Sequence, residues 1–192
     1  MATARAVNPL GQLYPYTAER LAPHLDLFRR RVRWARRREG WGLIPFAARI
    51  GINYSGVAGV EVGRTVMIGL KTAVRLAHGL QASMNWLAGI DYPAPVGEDI
   101  PAVVPGDPTA TARARVRWAR HRRGWSQGWL ADYSGLSAST VEHLEHGTTT
   151  AGSLATFLAL AHGLEVSLDW LLGLDYPAPE TTSAPAMLMS NN

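Results

Sequence analysis

The residues best equipped for chemistry crowd into one stretch, where Ser126, Gln127, Ser137, Ser139, Thr140, Glu142, His143, Glu145 and His146 follow one another closely. His143 and His146 stand three apart, which is metal-ligand spacing on a helix. The chain has no cysteine and offers no third ligand in sequence, so no zinc site is expected. His143-Leu144-Glu145-His146 is too short for a zincin helix, and Gly135-Leu136-Ser137-Ala138-Ser139 is not a nucleophile elbow. No phosphate-binding loop or dinucleotide fingerprint occurs either. What remains is an array of hydroxyls, an amide, two carboxylates and two imidazoles that can donate and accept hydrogen bonds. The residues argue against an enzyme, and no cofactor or metal is expected.

Short helices must carry this array, and their punctuation is explicit. Pro108 and the threonines after it open a helix running to about Arg123, where Gly124 ends it. Ser126 caps a second through about Tyr133, Gly135 allows a tight turn, and Ser137 caps a third through His146, stopped by Gly147. A fourth helix runs from near Ser153 to His162 with Gly163 at its end. Ser167 caps a fifth through Leu172. Leu130, Ala131, Leu136, Val141, Leu144, Leu154, Leu158, Leu160, Ala161, Leu164, Leu168, Trp170 and Leu171 recur at spacings of three and four, as a compact helical core requires. Without disulfides, stability must come from that packing.

The same unit is written twice. At an offset of 84 residues, 31–95 aligns without a gap on 115–179, and 32 of the 65 positions are identical. Arg31-Val32-Arg33-Trp34-Ala35-Arg36 matches Arg115-Val116-Arg117-Trp118-Ala119-Arg120, and Leu76-Ala77-His78-Gly79-Leu80 matches Leu160-Ala161-His162-Gly163-Leu164. The expected organisation is an N-terminal extension, partly helical, over 1–28, a first unit over 29–95, a Pro-rich linker over 96–108, a second unit over 109–179 and a loose tail over 180–192. The 17 residues 96–112 hold Pro101, Pro105, Gly106 and Pro108 and no basic residue, and at about 3 Å each could span on the order of 50 Å.

Ser126-Gln127-Gly128-Trp129-Leu130-Ala131, Gly135-Leu136-Ser137-Ala138-Ser139-Thr140-Val141-Glu142-His143-Leu144-Glu145-His146-Gly147 and the two helices after them closely resemble the phage repressor and Cro type (XRE family) of helix-turn-helix domain. The resemblance covers 113–174 almost end to end, and 30–90 more weakly. It implies an all-α fold of two tandem five-helix domains and double-stranded DNA as partner. It places the N-terminal turn of the third helix in the major groove, making Ala138, Ser139, Glu142 and His143 the candidates for base edges. Ala138 suits a thymine methyl, Ser139 donates or accepts, Glu142 suits a cytosine amino group and His143 a purine edge. Gln127, Ser137 and His146 match positions that hold backbone phosphate, as does Arg64 in the first unit; Arg33 and Arg37 are phosphate candidates by their place in a run of arginines. Arg120 with Glu145, and Arg36 with Glu61, match ion pairs internal to the family's fold, locking the first helix to the third.

The first unit is degenerate. Its third helix reads Asn53-Tyr54-Ser55-Gly56-Val57-Ala58-Gly59-Val60, with two glycines that each cost about 1 kcal/mol relative to alanine and little to read bases with. Yet residues 29–95 carry a net +8 in a chain whose total is +4, with Arg29, Arg30, Arg31, Arg33, Arg37 and Arg38 in one run. Two explanations stand: binding of DNA by charge and shape, or an apolar third helix turned into a protein interface. The function expected is a sequence-specific transcriptional regulator, a repressor of a bacterium or phage, cytoplasmic and at the nucleoid. Its two units would act as a pseudo-dimer, or the chain as a homodimer. The alternative is an antitoxin-like or anti-regulator module binding a protein at the first unit. No membrane segment is expected.

Overall fold

The computed structural model describes residues 18–148 and 152–179, so the tail expected over 180–192 lies outside the described residues. Among the described residues the secondary structure is helical. In chain order the helices are α1 (Ala18–Arg38), α2 (Leu43–Arg49), α3 (Tyr54–Glu61), α4 (Leu70–Leu80), α5 (Met84–Ala88), α6 (Pro108–Arg122), α7 (Gln127–Ser134), α8 (Ala138–His146), α9 (Leu154–Gly163) and α10 (Leu168–Leu172). One isolated antiparallel bridge joins Gly69 to Ser153.

The starts of the second set follow from side-chain oxygens. Asp107 accepts from the amides of Thr109 and Ala110 at the head of α6, and Ser126, Ser137, Ser153 and Ser167 each accept from the amide three residues on. Gly135 and Gly147 close α7 and α8 in the left-handed conformation, where a side chain would be strained. Gly163 behaves otherwise. It is the last residue of α9, with Leu164 as the cap, and a Cβ there would collide with Ser134. It is small so that α9 can pass α7 closely, and the positive φ falls on Glu165 instead. Val116, Leu130, Ala131, Val141, Leu144, Leu158 and Leu168 are buried together in this core, with Leu136 packed against it.

The linker does not hold the units apart. Arg115 Nε donates to the Pro101 carbonyl at 3.1 Å, Val104 N donates to Thr111 Oγ1 at 2.9 Å, and Val103 packs where a Cβ on Gly173 would sit. Residues 101–104 lie on the second unit, and the two units meet directly along a seam built of reciprocal contacts. Leu70 N donates to Gly152 O (2.9 Å) and Leu154 N to Ile68 O (2.8 Å); Ser83 N donates to Pro177 O (3.1 Å) and Ser167 N to Pro93 O (3.0 Å). His162 bonds Tyr92 OH at 3.1 Å, and His78 bonds Tyr176 OH. Each contact maps onto its mate by the shift of 84, which is the signature of an isologous, two-fold contact.

The seam also caps helices across the axis. Asp169 accepts from Ser83 Oγ (2.6 Å), Met84 N (2.7 Å) and Asn85 N (3.0 Å) at the head of α5. Asn85 answers by accepting from Leu168 N (2.7 Å) and donating to Ser167 Oγ (3.0 Å) at the head of α10. One feature breaks the symmetry. Helix α1 starts at Ala18, whereas α6 starts at Pro108, the counterpart of residue 24. The N-terminal part of α1 reaches the second unit, bringing the His24 ring to 4.8 Å from that of His162.

Candidate nucleic-acid interface

Helices α7 and α8, joined by a left-handed turn at Gly135, form the projecting edge of the second unit. Val141, Leu144 and Glu145 turn inward, which leaves Ala138, Ser139, Glu142, His143 and His146 exposed on the opposite side of α8. The four residues assigned to base edges therefore share one accessible face. Ser137 is exposed as well, but its Oγ is engaged: it accepts from Thr140 N at 3.1 Å and lies 2.7 Å from Thr140 Oγ1 and 3.0 Å from Ser139 Oγ. Sequence reasoning gave Thr140 no role of its own, although the Ser-x-x-Thr spacing of a capped first turn signals one. This hydroxyl chain fixes the rotamers at the tip of α8.

His146 Nδ1 lies 2.9 Å from the Glu142 carbonyl. A carbonyl only accepts, so Nδ1 carries the proton and Nε2 can donate to phosphate only when the ring is an imidazolium. Gln127 is half-buried and donates through Nε2 to Glu145 Oε2 at 2.9 Å, so the group assigned to phosphate is tied to the internal ion pair and retains one amide hydrogen.

That ion pair joins α6 to α8. Arg120 donates to both Glu145 oxygens, at 2.7 and 2.6 Å, and both side chains are buried. Burial pushes the Glu145 carboxyl up, but hydrogen bonds from Arg120 and Gln127 and the charges of Arg120 and Arg117 outweigh it and hold the group below the usual carboxylate range. Arg36 grips Glu61 in the same way, at 2.6 and 2.8 Å, joining α1 to α3. The Glu61 hydrogen bond, set against the cost of burial and helped by the Glu61 charge, raises the Arg36 guanidinium further.

The basic run of α1 is largely committed within the molecule. Arg33, assigned to phosphate, donates to the Glu61 carbonyl at 2.7 Å and lies 3.8 Å from its carboxylate. Arg29 bonds Asp26 and the Thr65 carbonyl, Arg31 lies over the Trp86 ring and Arg38 over that of Trp34. In this run Arg30 and Arg37 are exposed with no hydrogen-bond or ion-pair partner among the described residues, as is Arg64 beyond α3.

The third helix of the first unit is covered where the second unit's is open. Ala58 and Gly59 stand 84 residues before Glu142 and His143, and both are buried. Thr65 N donates to the Gly59 carbonyl at 3.0 Å, and Thr65 Oγ1 sits 2.7 Å from where a Gly59 Cβ would be. The loop after α3 is folded back on it, and Arg29 holds it there through the Thr65 carbonyl.

With this geometry in place, residues 112–171 match the family described as a helix-turn-helix domain. The match lies within the second unit and takes in α7 and α8, the pair joined at Gly135. Over 58 residues, 30% of this chain and 53% of the relative, the sequence is 40% identical to a competence pilus inhibition repressor of Acinetobacter baylyi. The matched part thus spans about half the length of that curated relative. No solved structure matches. No described helix is long and apolar enough to cross a membrane.

Proposed function

We propose that this protein is a sequence-specific regulator of transcription, a repressor, that reads the major groove of double-stranded DNA with α8. The observation that carries this is the division of α8: Val141, Leu144 and Glu145 anchor it, while Ser139, Glu142 and His143 stand exposed together beyond its capped N-terminus. The relative's name supports the repressor role. The chain acts without catalysis, in the cytoplasm where its duplex lies.

The reciprocal seam supports a pseudo-dimer in which both units approach one duplex. The second reads bases and the first contributes charge through Arg37 and Arg64. The covered Ala58 and Gly59 withdraw that part of α3 from bases and from a partner alike, so a second reading, a protein interface on the first unit, rests on residues outside α3. There Ile44 is 70% exposed and Val66 and Met67 each 79%, an apolar surface open to a protein partner.

Fluorescence anisotropy of the full chain on a selected duplex and on a scrambled one, across salt concentrations, tests the proposal. A preference that survives moderate salt is expected. Arg37→Ala and Arg64→Ala should each flatten the salt slope, by about one for every phosphate no longer neutralised. Equal binding of both duplexes at moderate salt would overturn base reading.

A further inference from the structure

A cavity of about 550 Å³ lies on the seam, between α4 of the first unit, the linker and the start of α6. We propose that it binds a small organic anion with an apolar body. The volume falls within the range of small-molecule sites. Four basic side chains line it: Lys71, Arg75 and His78 from α4 and Arg113 from α6.

The charges of Lys71, Arg75 and Arg113 are not answered inside the cavity, while His78 is held by Tyr176 OH. The one acidic side chain in the lining, Asp107, already accepts from the amides of Thr109 and Ala110 at the head of α6. Lys71 is exposed and has no ion-pair partner among the described residues. Arg75 uses one nitrogen on the Gly51 carbonyl. Arg113 has a buried Nε–H with no acceptor among the described residues. Lys71 and Arg75 keep donors that an anionic head group can accept from. Val74, Val104 and Leu172 give the same cavity an apolar wall, which suits a hydrocarbon or ring behind the charged head. Because the lining comes from both units, an occupant bridges them. The site stands independently of DNA reading.

Isothermal titration of the full chain tests this, with phenyl phosphate and hexanoate as probes and inorganic phosphate and hexylamine as controls. Saturable one-to-one binding of phenyl phosphate, hexanoate or both is expected, the preferred probe identifying the head group. Inorganic phosphate should bind at least about tenfold more weakly, and hexylamine not at all. Lys71→Gln should weaken the preferred probe several-fold, and Val104→Trp, which fills the cavity from an exposed position, should abolish binding. Circular dichroism of both variants should show an unchanged fold. The proposal fails if neither probe saturates at millimolar concentration, if either control binds as well as the probes, or if both variants titrate like the parent chain.

Discussion

Ser137 and Ser139 share a hydroxyl contact, but Ser137 also caps a backbone amide, which neither Ser139 nor His143 does. Ser137 Oγ is occupied by the cap, so Ser137→Ala should lower stability by about 1 kcal/mol whatever it does to DNA binding. Ser139→Ala and His143→Ala, on the exposed face, should leave the melting temperature near that of the parent. Each should relax base preference by about 1–3 kcal/mol where the side chain pairs well with a base, as read by competition with mismatched duplexes. Glu145→Gln should act in the opposite way, breaking a buried ion pair at a cost of about 3–5 kcal/mol in denaturant unfolding. Since the Glu145 carboxyl is held below its ordinary value, its contribution is complete above about pH 4.3 and drains away as the pH falls further into acid. The positions of the polar face and of both ion pairs were legible in the sequence. The commitment of Arg29, Arg31, Arg33 and Arg38 was not, because a charge count records side chains and not the carbonyls and rings that fold up beside them.

At the scale of the helix, serine caps and closing glycines are local signals, and Ser126, Ser137, Ser153 and Ser167 start helices as their positions predict. Gly163 shows the limit of such reading. It ends α9 as the sequence expects, but it also lets α9 pass closely over α7, a tertiary role that spacing along one helix cannot reveal. Gly163→Ala would gain helix propensity in isolation, yet here the new Cβ meets the Ser134 side chain and backbone. The expected outcome is a loss of about 1–3 kcal/mol in thermal unfolding. Gly59 follows the same logic. The glycines of α3 read as weak helix and poor readout, but the placement of Gly59 under Thr65 required the returning loop to be seen.

For the whole molecule, the duplication was plain in the sequence and the seam was not, since a proline-rich linker permits both separated and docked units. Asp169→Ala removes an acceptor from three donors across the axis and should cost about 2–4 kcal/mol, opening the linker to protease at lower temperature than in the parent. Acid should loosen the same seam in an earlier window than Glu145. Burial, and then the charge of His24, holds the His162 imidazole down at about 4, below its ordinary 6.5. The folded chain therefore keeps this ring neutral while the unfolded chain takes up a proton, and stability is lost as the pH falls from about 6.5 towards 4. His162→Gln should show a shallower decline in melting temperature over that interval. Selection of bound sequences from a random duplex pool, with the full chain and with a Ser139→Ala/His143→Ala double variant, tests whether α8 reads bases. The expected result is an unequal site, one half sharply specified and the other weakly, with the sharp half blurred by the double variant. A site that the double variant recovers unchanged, or a pool in which nothing is enriched, would contradict it.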